Sequence, residues 1–255
     1  MMHNFPEAPE KRRTIVFLNE HEMQKCDYDP EMGQLLLDEE LFVISFPFTG
    51  NQANLPMALQ NIKDADLIRS DSVLIQSPFD CDVYEEMRAA PNRYALDKHL
   101  YFSTFCQLLG AKEISVKQIQ IDTNGKSSKI SVDGKRSGAK LNATIENKQA
   151  ASFQAHLSLI ERYAGGLPDI DAASKYLRAK KLSNDPVMRS LLEKRSFSNN
   201  SLEEQELVIN LSQEVNKNMN IKAQAKFKSF ASLKGEYNTE SIQKNEYTLT
   251  VLVKF

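Results

Sequence analysis

The stretch EISVKQIQID, residues 113–122, is the strongest indication of the fold in this chain. Ile114 and Val116 alternate with polar residues, and the alternation resumes one residue out of step at Ile119. Alternation with a period of two is typical of a half-buried β-strand, and a β-bulge at Lys117–Gln118 explains the slip. The sequence therefore predicts one long, bulged strand near the middle of the chain.

Turn signals and further alternation follow this strand. Asn124–Gly125 and Asp133–Gly134 are dipeptides that favour tight hairpin turns. Apolar residues alternate with polar ones again over residues 141–145 and over residues 152–159. We therefore predict a contiguous antiparallel meander of four strands over residues 113–160.

Periodicity and capping signals predict the remaining elements. The last nine residues, YTLTVLVKF, alternate so regularly that we expect a paired strand there and not a loose tail. Ser201 and Glu204 match a capping box, which favours a helix after them. Strands are predicted over residues 13–20, 40–48, 71–79, 220–228 and 247–255, and helices over residues 55–68, 82–90, 91–110, 168–181, 185–195 and 201–218.

Together these elements predict an α+β fold, in which an antiparallel β-meander with inserted helices packs with a smaller mixed α/β N-terminal half. We divide the chain into a mobile tail at residues 1–12, an acidic half at residues 13–110 and a basic half at residues 111–255. The formal charge is −9 up to Gly110 and +7 after it. No flexible linker separates the halves, so we expect them to pack as one unit.

Composition narrows the class of protein. The three cysteines, Cys26, Cys81 and Cys106, are widely spaced and odd in number, which suggests neither a disulfide framework nor a zinc ribbon. The sequence has no apolar run long enough for a transmembrane helix and no apolar segment typical of a secretory signal. With only 9 glycines, it also lacks a glycine-rich nucleotide loop. We expect a soluble cytoplasmic protein without a cofactor.

The basic half contains an unusual lysine face. In NIKAQAKFKSF, residues 220–230, Lys222, Lys226 and Lys228 alternate with apolar residues, and residues 217–234 contain no acid. A solvated face usually mixes charges of both signs, so this face favours an anionic partner. The residues predicted to bind anions are Lys117, Lys129, Lys140, Lys222, Lys226 and Lys228.

These lysines lead to a hypothesis of function. We expect a binding or interaction protein whose basic antiparallel sheet contacts an acidic membrane surface, a polyanion or an acidic protein. Two simpler explanations remain open, because lysines also protect exposed edge strands and also pair with acidic parts of the same protein. The lysine face has no aromatic stacking platform, and no basic reader helix is evident, so the sequence offers no motif that reads nucleic acid.

A second hypothesis concerns membranes. Strands that alternate small apolar residues with Lys, Ser, Thr and Gln have one lipid-compatible face and one wet face. That pattern suits a membrane-active protein of the pore-forming type, although an ordinary β-sandwich has the same alternation. The sequence does not distinguish the two.

A third hypothesis is a metal-dependent hydrolase or nuclease. Asp80, Asp82, Glu85 and Glu86 form the densest acidic cluster, directly after a predicted strand. Converging carboxylates hold divalent ions in many hydrolases, and Asp80, Asp82 and Glu85 are the candidate site. The same residues suit the start of a helix, where negative charge meets the positive end of the helix dipole. We predict the helix-start role, and hence no metal ligand there.

No catalytic residue follows from the sequence. His99 lies in an aromatic helix without an adjacent nucleophile or carboxylate pair, so we expect it to be a buried, hydrogen-bonded core histidine.

Overall fold

The computed structural model of the protein describes residues 5–30, 33, 36–48, 55–70, 72–123, 126–132, 153–197, 199, 202–218 and 245–255. The described residues form two compact units. One unit lies within Met1–Pro91 and Val215–Ile242, and the other lies within Asn92–Glu214 and Gln243–Phe255.

The first unit contains a four-stranded mixed sheet. Its strands are β1 (Thr14–Asn19), β2 (Leu41–Phe46), β3 (Val73–Gln76) and β4 (Tyr84–Glu86), and its helices are α1 (Glu20–Tyr28), α2 (Met57–Asp64) and a short 3-10 helix (Pro9–Arg12). The strand order is β2–β1–β3–β4, with β1 parallel to β2 and antiparallel to β3. Central strand β1 is a continuous apolar run that is buried along almost its whole length, as a strand covered on both faces must be.

Local signals explain the two helices of this unit. The side chain of Asn19 accepts a hydrogen bond from the backbone of Glu22, and the Glu22 side chain accepts one from the backbone of Asn19, which closes a capping box for α1. In α2, Leu59 and Ile62 lie three residues apart and are both buried against the sheet. Predicted strands 13–20, 40–48 and 71–79 and predicted helix 55–68 are confirmed as β1, β2, β3 and α2.

The second sheet has five strands. They are β5 (Glu113–Thr123), β6 (Lys126–Ser131), β7 (Ile160–Arg162), β8 (Glu204–Asn210) and β9 (Asn245–Lys254). Further helices among the described residues are α3 (Ala90–Leu108), α4 (Ile170–Ala179), α5 (Pro186–Ser196) and α6 (Gln213–Asn218), in addition to a helical segment at residues 153–156. All pairings are antiparallel, in the order β6–β5–β9–β8, and β7 also pairs with β5. The α+β class with an antiparallel sheet is therefore confirmed.

Residues 113–122 belong to β5, an interior strand of this sheet. Along β5 the pairing with β9 changes register between Val116 and Gln118, which confirms the predicted bulge. β9 pairs along the whole of β5, while β6 and β7 pair with different parts of its other edge. The inner face of the sheet consists of fully or nearly buried side chains, namely Ile114, Val116, Ile119, Ile121, Leu207, Ile209, Tyr247, Leu249, Val251 and Val253.

The predicted helix at residues 82–90 is wrong, because Tyr84–Glu86 form strand β4 beside β3. The Tyr84 side chain is 5% exposed, and its hydroxyl group donates to the carbonyl of Arg12 and accepts from Gln76. These long-range bonds hold the segment extended, and a strand paired with β3 overrides the helical preference of the acidic residues. The acidic cluster is consequently not at a helix start, since α3 begins at Ala90.

The predicted strand at residues 152–159 is also wrong, and with it the contiguous four-stranded meander predicted over residues 113–160. Phe153–His156 are helical, with Phe153 and Leu157 buried and Ala155 and His156 exposed. A spacing of four residues fits one face of a helix as well as alternate positions of a strand, so Phe153 and Leu157 did not distinguish them. Phe153 stacks on Tyr247 of β9, and this contact covers the inner face of the sheet.

The predicted helix at residues 201–218 is wrong over its first half. β8 occupies Glu204–Asn210, with Leu207 and Ile209 buried and Val208 exposed, so burial follows a period of two. Pairing with β9 along seven residues decides the outcome against the local capping signal. Only α6, after this strand, is helical.

The other predicted helices and the C-terminal strand are confirmed as α3, α4, α5 and β9. No helix in the described part of the chain is long and apolar enough to cross a membrane. The turns at Asn124–Gly125 and Asp133–Gly134 and the strands predicted over residues 141–145 and 220–228 lie outside the described residues.

Candidate functional site

The acidic turn between β3 and β4 is held by a buried cation. Arg12 is 5% exposed, and its guanidinium group donates to a carboxylate oxygen of Asp82 at 2.8 Å. The same group also donates to the backbone carbonyls of Pro6 and Cys81 and to the hydroxyl group of Tyr84. Asp82 therefore balances the charge of a buried arginine.

Asp80, Cys81 and Asp82 offer possible ligand atoms that lie within 4.8 Å of one another. The Asp80 carboxylate accepts the backbone N–H of Asp82, as in an Asx turn, and Asp82 is paired with Arg12. Glu85, which the sequence adds to the candidate metal site, accepts the backbone N–H of Glu86 and is not in this group. These contacts account for the carboxylates as local structure, and nothing beyond their proximity points to an ion.

The structure describes two of the six lysines that the sequence predicts to bind anions. Lys117 is exposed at the bulge of β5, and Lys129 is exposed on β6 opposite Gln120. Neither lysine forms an ion pair with a described residue. Lys140, Lys222, Lys226 and Lys228 lie outside the described residues.

The outer face of the second sheet, opposite its buried inner face, carries charges of both signs. At one end Glu113 is held by Arg162 at 3.1 Å and by Lys254 at 3.3 Å. Further carboxylates on β5, β8 and β9 belong to Asp122, Glu204, Glu206 and Glu246. Uncharged Gln118, Gln120, Thr248 and Thr250 lie between the ends. Lys117 and Lys129 thus differ from Arg162 and Lys254 in having no acidic partner among the described residues.

Helix α3 carries a second buried cation. Lys98 is fully buried, and its ammonium group contacts carboxylate oxygens of Asp185 at 2.8 Å and Glu214 at 2.7 Å. It also donates to the backbone carbonyl of Asn210 at 2.8 Å. Asp185 is at the same time the N-cap of α5, where it accepts two backbone N–H groups. The three N–H groups of Lys98 therefore meet three oxygen acceptors.

The next residue of α3, His99, belongs to a different polar cluster. His99 and Ser103 lie one turn apart on α3, and Glu161 and Tyr163 come from β7 and the residue that follows it. Ser103 and Tyr163 both donate to one carboxylate oxygen of Glu161, and their own hydroxyl oxygens are 2.7 Å apart. We call these four residues the His99 cluster.

The imidazole of His99 forms only weak hydrogen bonds with the described residues. Nε2 lies 3.3 Å from the carbonyl oxygen of Ser158 and 3.9 Å from the second carboxylate oxygen of Glu161. The first distance is long for a hydrogen bond and the second exceeds one. Nδ1 is buried and has no hydrogen-bond partner among the described residues. Orphaned buried nitrogens are rare in folded proteins and call for an explanation.

Burial sets the protonation of the cluster. Burial lowers the pKa of His99, an effect that the nearby Glu161 carboxylate and the Ser158 carbonyl oppose, so the ring is neutral near pH 7. Burial, and then the hydrogen bond to Glu161, raises the pKa of Tyr163 to about 12. Burial also raises the pKa of the Cys106 thiol well above its usual range, so this cysteine is an inert part of the core.

The sequence contained two signals for this cluster. His99 and Ser103 are four residues apart in a predicted helix, which places them on one face. Glu161 and Tyr163 are two residues apart, which places them on one face of a strand. The predicted strand ended at residue 159, and only tertiary structure brings the two pairs together. The expected buried role of His99 is confirmed, at 2% exposure, while Ser103, Glu161 and Tyr163 were missed.

Comparison with known proteins adds no functional assignment, because no protein-family model, curated protein or solved structure matches this chain.

Proposed function

We propose that the protein binds an anionic partner through cations of its antiparallel sheet, with Lys117 and Lys129 as described members of the contact surface. The observation that carries this proposal is that both lysines are exposed without an ion pair to any described residue. Two other cations of this sheet, Arg162 and Lys254, are already paired with Glu113. An unpaired ammonium group keeps its full attraction for an incoming anion.

The pattern of the surrounding side chains supports the same proposal. Gln118 on β5 and Thr248 and Thr250 on β9 present amide and hydroxyl donors on the same face, whereas the amide group of Gln120 donates to the Asp122 carboxylate. Such donors accompany cations where proteins bind phosphate or carboxylate groups. The carboxylates of Glu204 and Glu206 lie on β8, on the far side of β9 from β5. Anion binding is therefore proposed on the β5–β6 side of the sheet, where the carboxylate of Asp122 is already engaged by Gln120.

A charge-reversal experiment tests the proposal. Each lysine close to an anionic surface contributes about 1 kcal/mol, so Lys117→Glu with Lys129→Glu weakens binding by roughly thirtyfold or more. Binding is measured at low salt with vesicles rich in phosphatidylserine and, separately, with inorganic polyphosphate. Lys222→Glu with Lys226→Glu extends the test to the lysine face predicted at residues 220–230.

The matched control changes net charge without changing the sheet. Lys175 and Arg178 are both exposed on α4, so Lys175→Glu with Arg178→Glu makes the same change in net charge at another place. If the control pair weakens binding as much as the sheet pair, attraction depends on net charge alone and the proposed surface is wrong. The proposal is also contradicted if the protein binds neither probe. It is contradicted as well if binding survives both the Lys117→Glu, Lys129→Glu pair and the Lys222→Glu, Lys226→Glu pair. Release of an entrapped dye from the vesicles would favour the membrane-active alternative.

A further inference from the structure

The His99 cluster combines an oriented carboxylate with a histidine that lacks full hydrogen bonding. Glu161 uses one oxygen to accept two hydroxyl donors, and its other oxygen faces only His99 among the described residues. His99 is 2% exposed, and neither of its nitrogens has a hydrogen bond of ordinary length there. The unused carboxylate oxygen and Nε2 face each other across 3.9 Å.

We propose that His99 Nε2, the free carboxylate oxygen of Glu161 and the backbone carbonyl oxygen of Ser158 form a binding site for a divalent transition-metal ion such as Zn²⁺. This site is distinct from the anion-binding surface and does not depend on it. It also differs from the acidic cluster at Asp80, Asp82 and Glu85, which the sequence offered as the alternative metal site.

The distances fit a common ion. Two nitrogen or oxygen ligands at about 2.0–2.1 Å from zinc, at the tetrahedral angle, are about 3.4 Å apart. The separation from Nε2 to the Ser158 oxygen is 3.3 Å, and the separation from Nε2 to the Glu161 oxygen is 3.9 Å. The first already matches, and the second needs a movement of Glu161 by about half an ångström.

The chemistry of the ligands indicates the kind of ion. Imidazole nitrogen suits zinc and other late first-row metals, whereas calcium and magnesium take oxygen ligands almost alone. Three protein ligands leave the fourth position of zinc for water, as in open zinc sites. Ser103 and Tyr163 hold the ligating carboxylate through its other oxygen, and such outer hydrogen bonds orient metal ligands.

Access and charge also fit. The Glu161 side chain is 22% exposed, which gives an ion a route from solvent to a histidine that is itself buried. Zinc binding at Nε2 requires the ring proton, which Nε2 donates towards Ser158, to move to Nδ1. The divalent charge would also balance Glu161, which has no ion-pair partner among the described residues other than this histidine.

Zinc titration of the chelator-treated full chain tests the proposal. We expect one Zn²⁺ per chain by calorimetry and a rise in melting temperature with zinc concentration, because an ion that binds only the folded state stabilises it. Glu161→Gln keeps the size of the side chain and removes its charge, and we expect it to weaken zinc binding at least tenfold. His99→Asn is expected to abolish binding.

Two controls separate this site from other metal ligands. His156 is an exposed histidine two residues before Ser158, and Cys81 is the thiol of the acidic turn between β3 and β4. His156→Gln and Cys81→Ser are both expected to leave binding unchanged. Binding that either control removes, or that survives both Glu161→Gln and His99→Asn, places the ion elsewhere and overturns the proposal. Absence of saturable binding to the native chain overturns it as well.

A spectroscopic measurement does not depend on whether a variant folds. Without metal, His99 Nε2 carries the ring proton and donates it towards Ser158. Zinc on Nε2 moves the ring proton to Nδ1, so the two nitrogen chemical shifts of this ring exchange their character in nuclear magnetic resonance. If the ring keeps its proton on Nε2 at saturating zinc, the metal site is contradicted and the cluster is a structural set of hydrogen bonds.

Discussion

Two adjacent residues of α3 enter the core in contrasting ways. Lys98 is fully buried, and its three N–H groups meet Asp185, Glu214 and the carbonyl of Asn210 at 2.7–2.8 Å. His99 is almost as deeply buried, yet one ring nitrogen has no partner among the described residues and the other has one long contact. Neighbours in sequence thus belong to a complete polar network and to an incomplete one.

The difference shows how to separate structure from function in a chain without known relatives. A complete network has no capacity left for a ligand, and breaking it costs stability because the remaining charges stay buried. An incomplete network contributes less to stability and keeps lone pairs for another molecule. Lys98 is therefore a stabilising residue, and His99 is a binding candidate, although both are buried polar groups on one helix.

The largest decrease in the free energy of unfolding is expected when Lys98 is replaced. Lys98→Met keeps the length of the side chain but leaves the carboxylates of Asp185 and Glu214 without their cation, at 3% and 18% side-chain exposure. Breaking a buried pair in this way costs about 3–5 kcal/mol of the free energy of unfolding. Urea unfolding monitored by circular dichroism measures the loss.

The control for this change is Lys175→Met on the exposed surface of α4. We expect it to stay within about 0.5 kcal/mol of the native chain, as is usual for surface substitutions. A loss below about 1 kcal/mol in Lys98→Met would mean that the network does not stabilise the fold, and the contrast with His99 would disappear.

Particular residues show what sequence reasoning could predict here. The alternation in β5 and β9 marks strands correctly because each has four apolar residues on one face, and even the bulge is visible as a slip. Segments 82–90 and 201–210 were assigned as helices because local capping and acidic residues favour helix ends. Their pairing with β3 and β9 is a long-range effect that no local pattern contains.

The candidate site was less predictable than the fold. Lys98 is one of 32 basic residues. The two acids that balance its buried charge, Asp185 and Glu214, are 87 and 116 residues away in the chain, so no local pattern indicates its burial. His99 was recognised as a buried histidine from its aromatic surroundings. Its proximity to Glu161 depends on how β7 pairs with β5, and the strand assigned at residues 152–159 concealed that pairing.

An intermediate effect is expected for His99 without metal. His99→Leu in the presence of a chelator removes one long hydrogen bond to Ser158 and leaves that carbonyl unpaired, which costs about 1 kcal/mol. The replacement fills most of the volume of the ring, so the cavity is small. Urea unfolding of His99→Leu and Lys98→Met under the same conditions measures the ratio of their losses in the free energy of unfolding. Equal losses would show that the His99 cluster is as important for stability as the Lys98 network.

The smallest effect is expected for a network that is complete but exposed. Glu113 accepts hydrogen bonds from Arg162 and Lys254, and these contacts lower the pKa of its carboxyl group. Arg162 is 73% exposed and Lys254 is 44% exposed, so solvent screens both pairs and their contribution is below about 1 kcal/mol. Glu113→Gln should therefore lower the free energy of unfolding only slightly at pH 7.

The pH dependence of that small loss gives the sharpest test. Because the folded-state pKa of Glu113 is lower than the unfolded value of about 4.3, the pairs stabilise the native chain above that pH. Their contribution is lost as the pH falls through the folded-state pKa, when the carboxyl group becomes protonated. The difference between the native chain and Glu113→Gln should thus shrink on acidification, and high salt should reduce it at pH 7. A difference that grows as the pH falls would mean that the neutral carboxyl group is the stabilising form. The ion pairs would then not be the cause of the difference in stability.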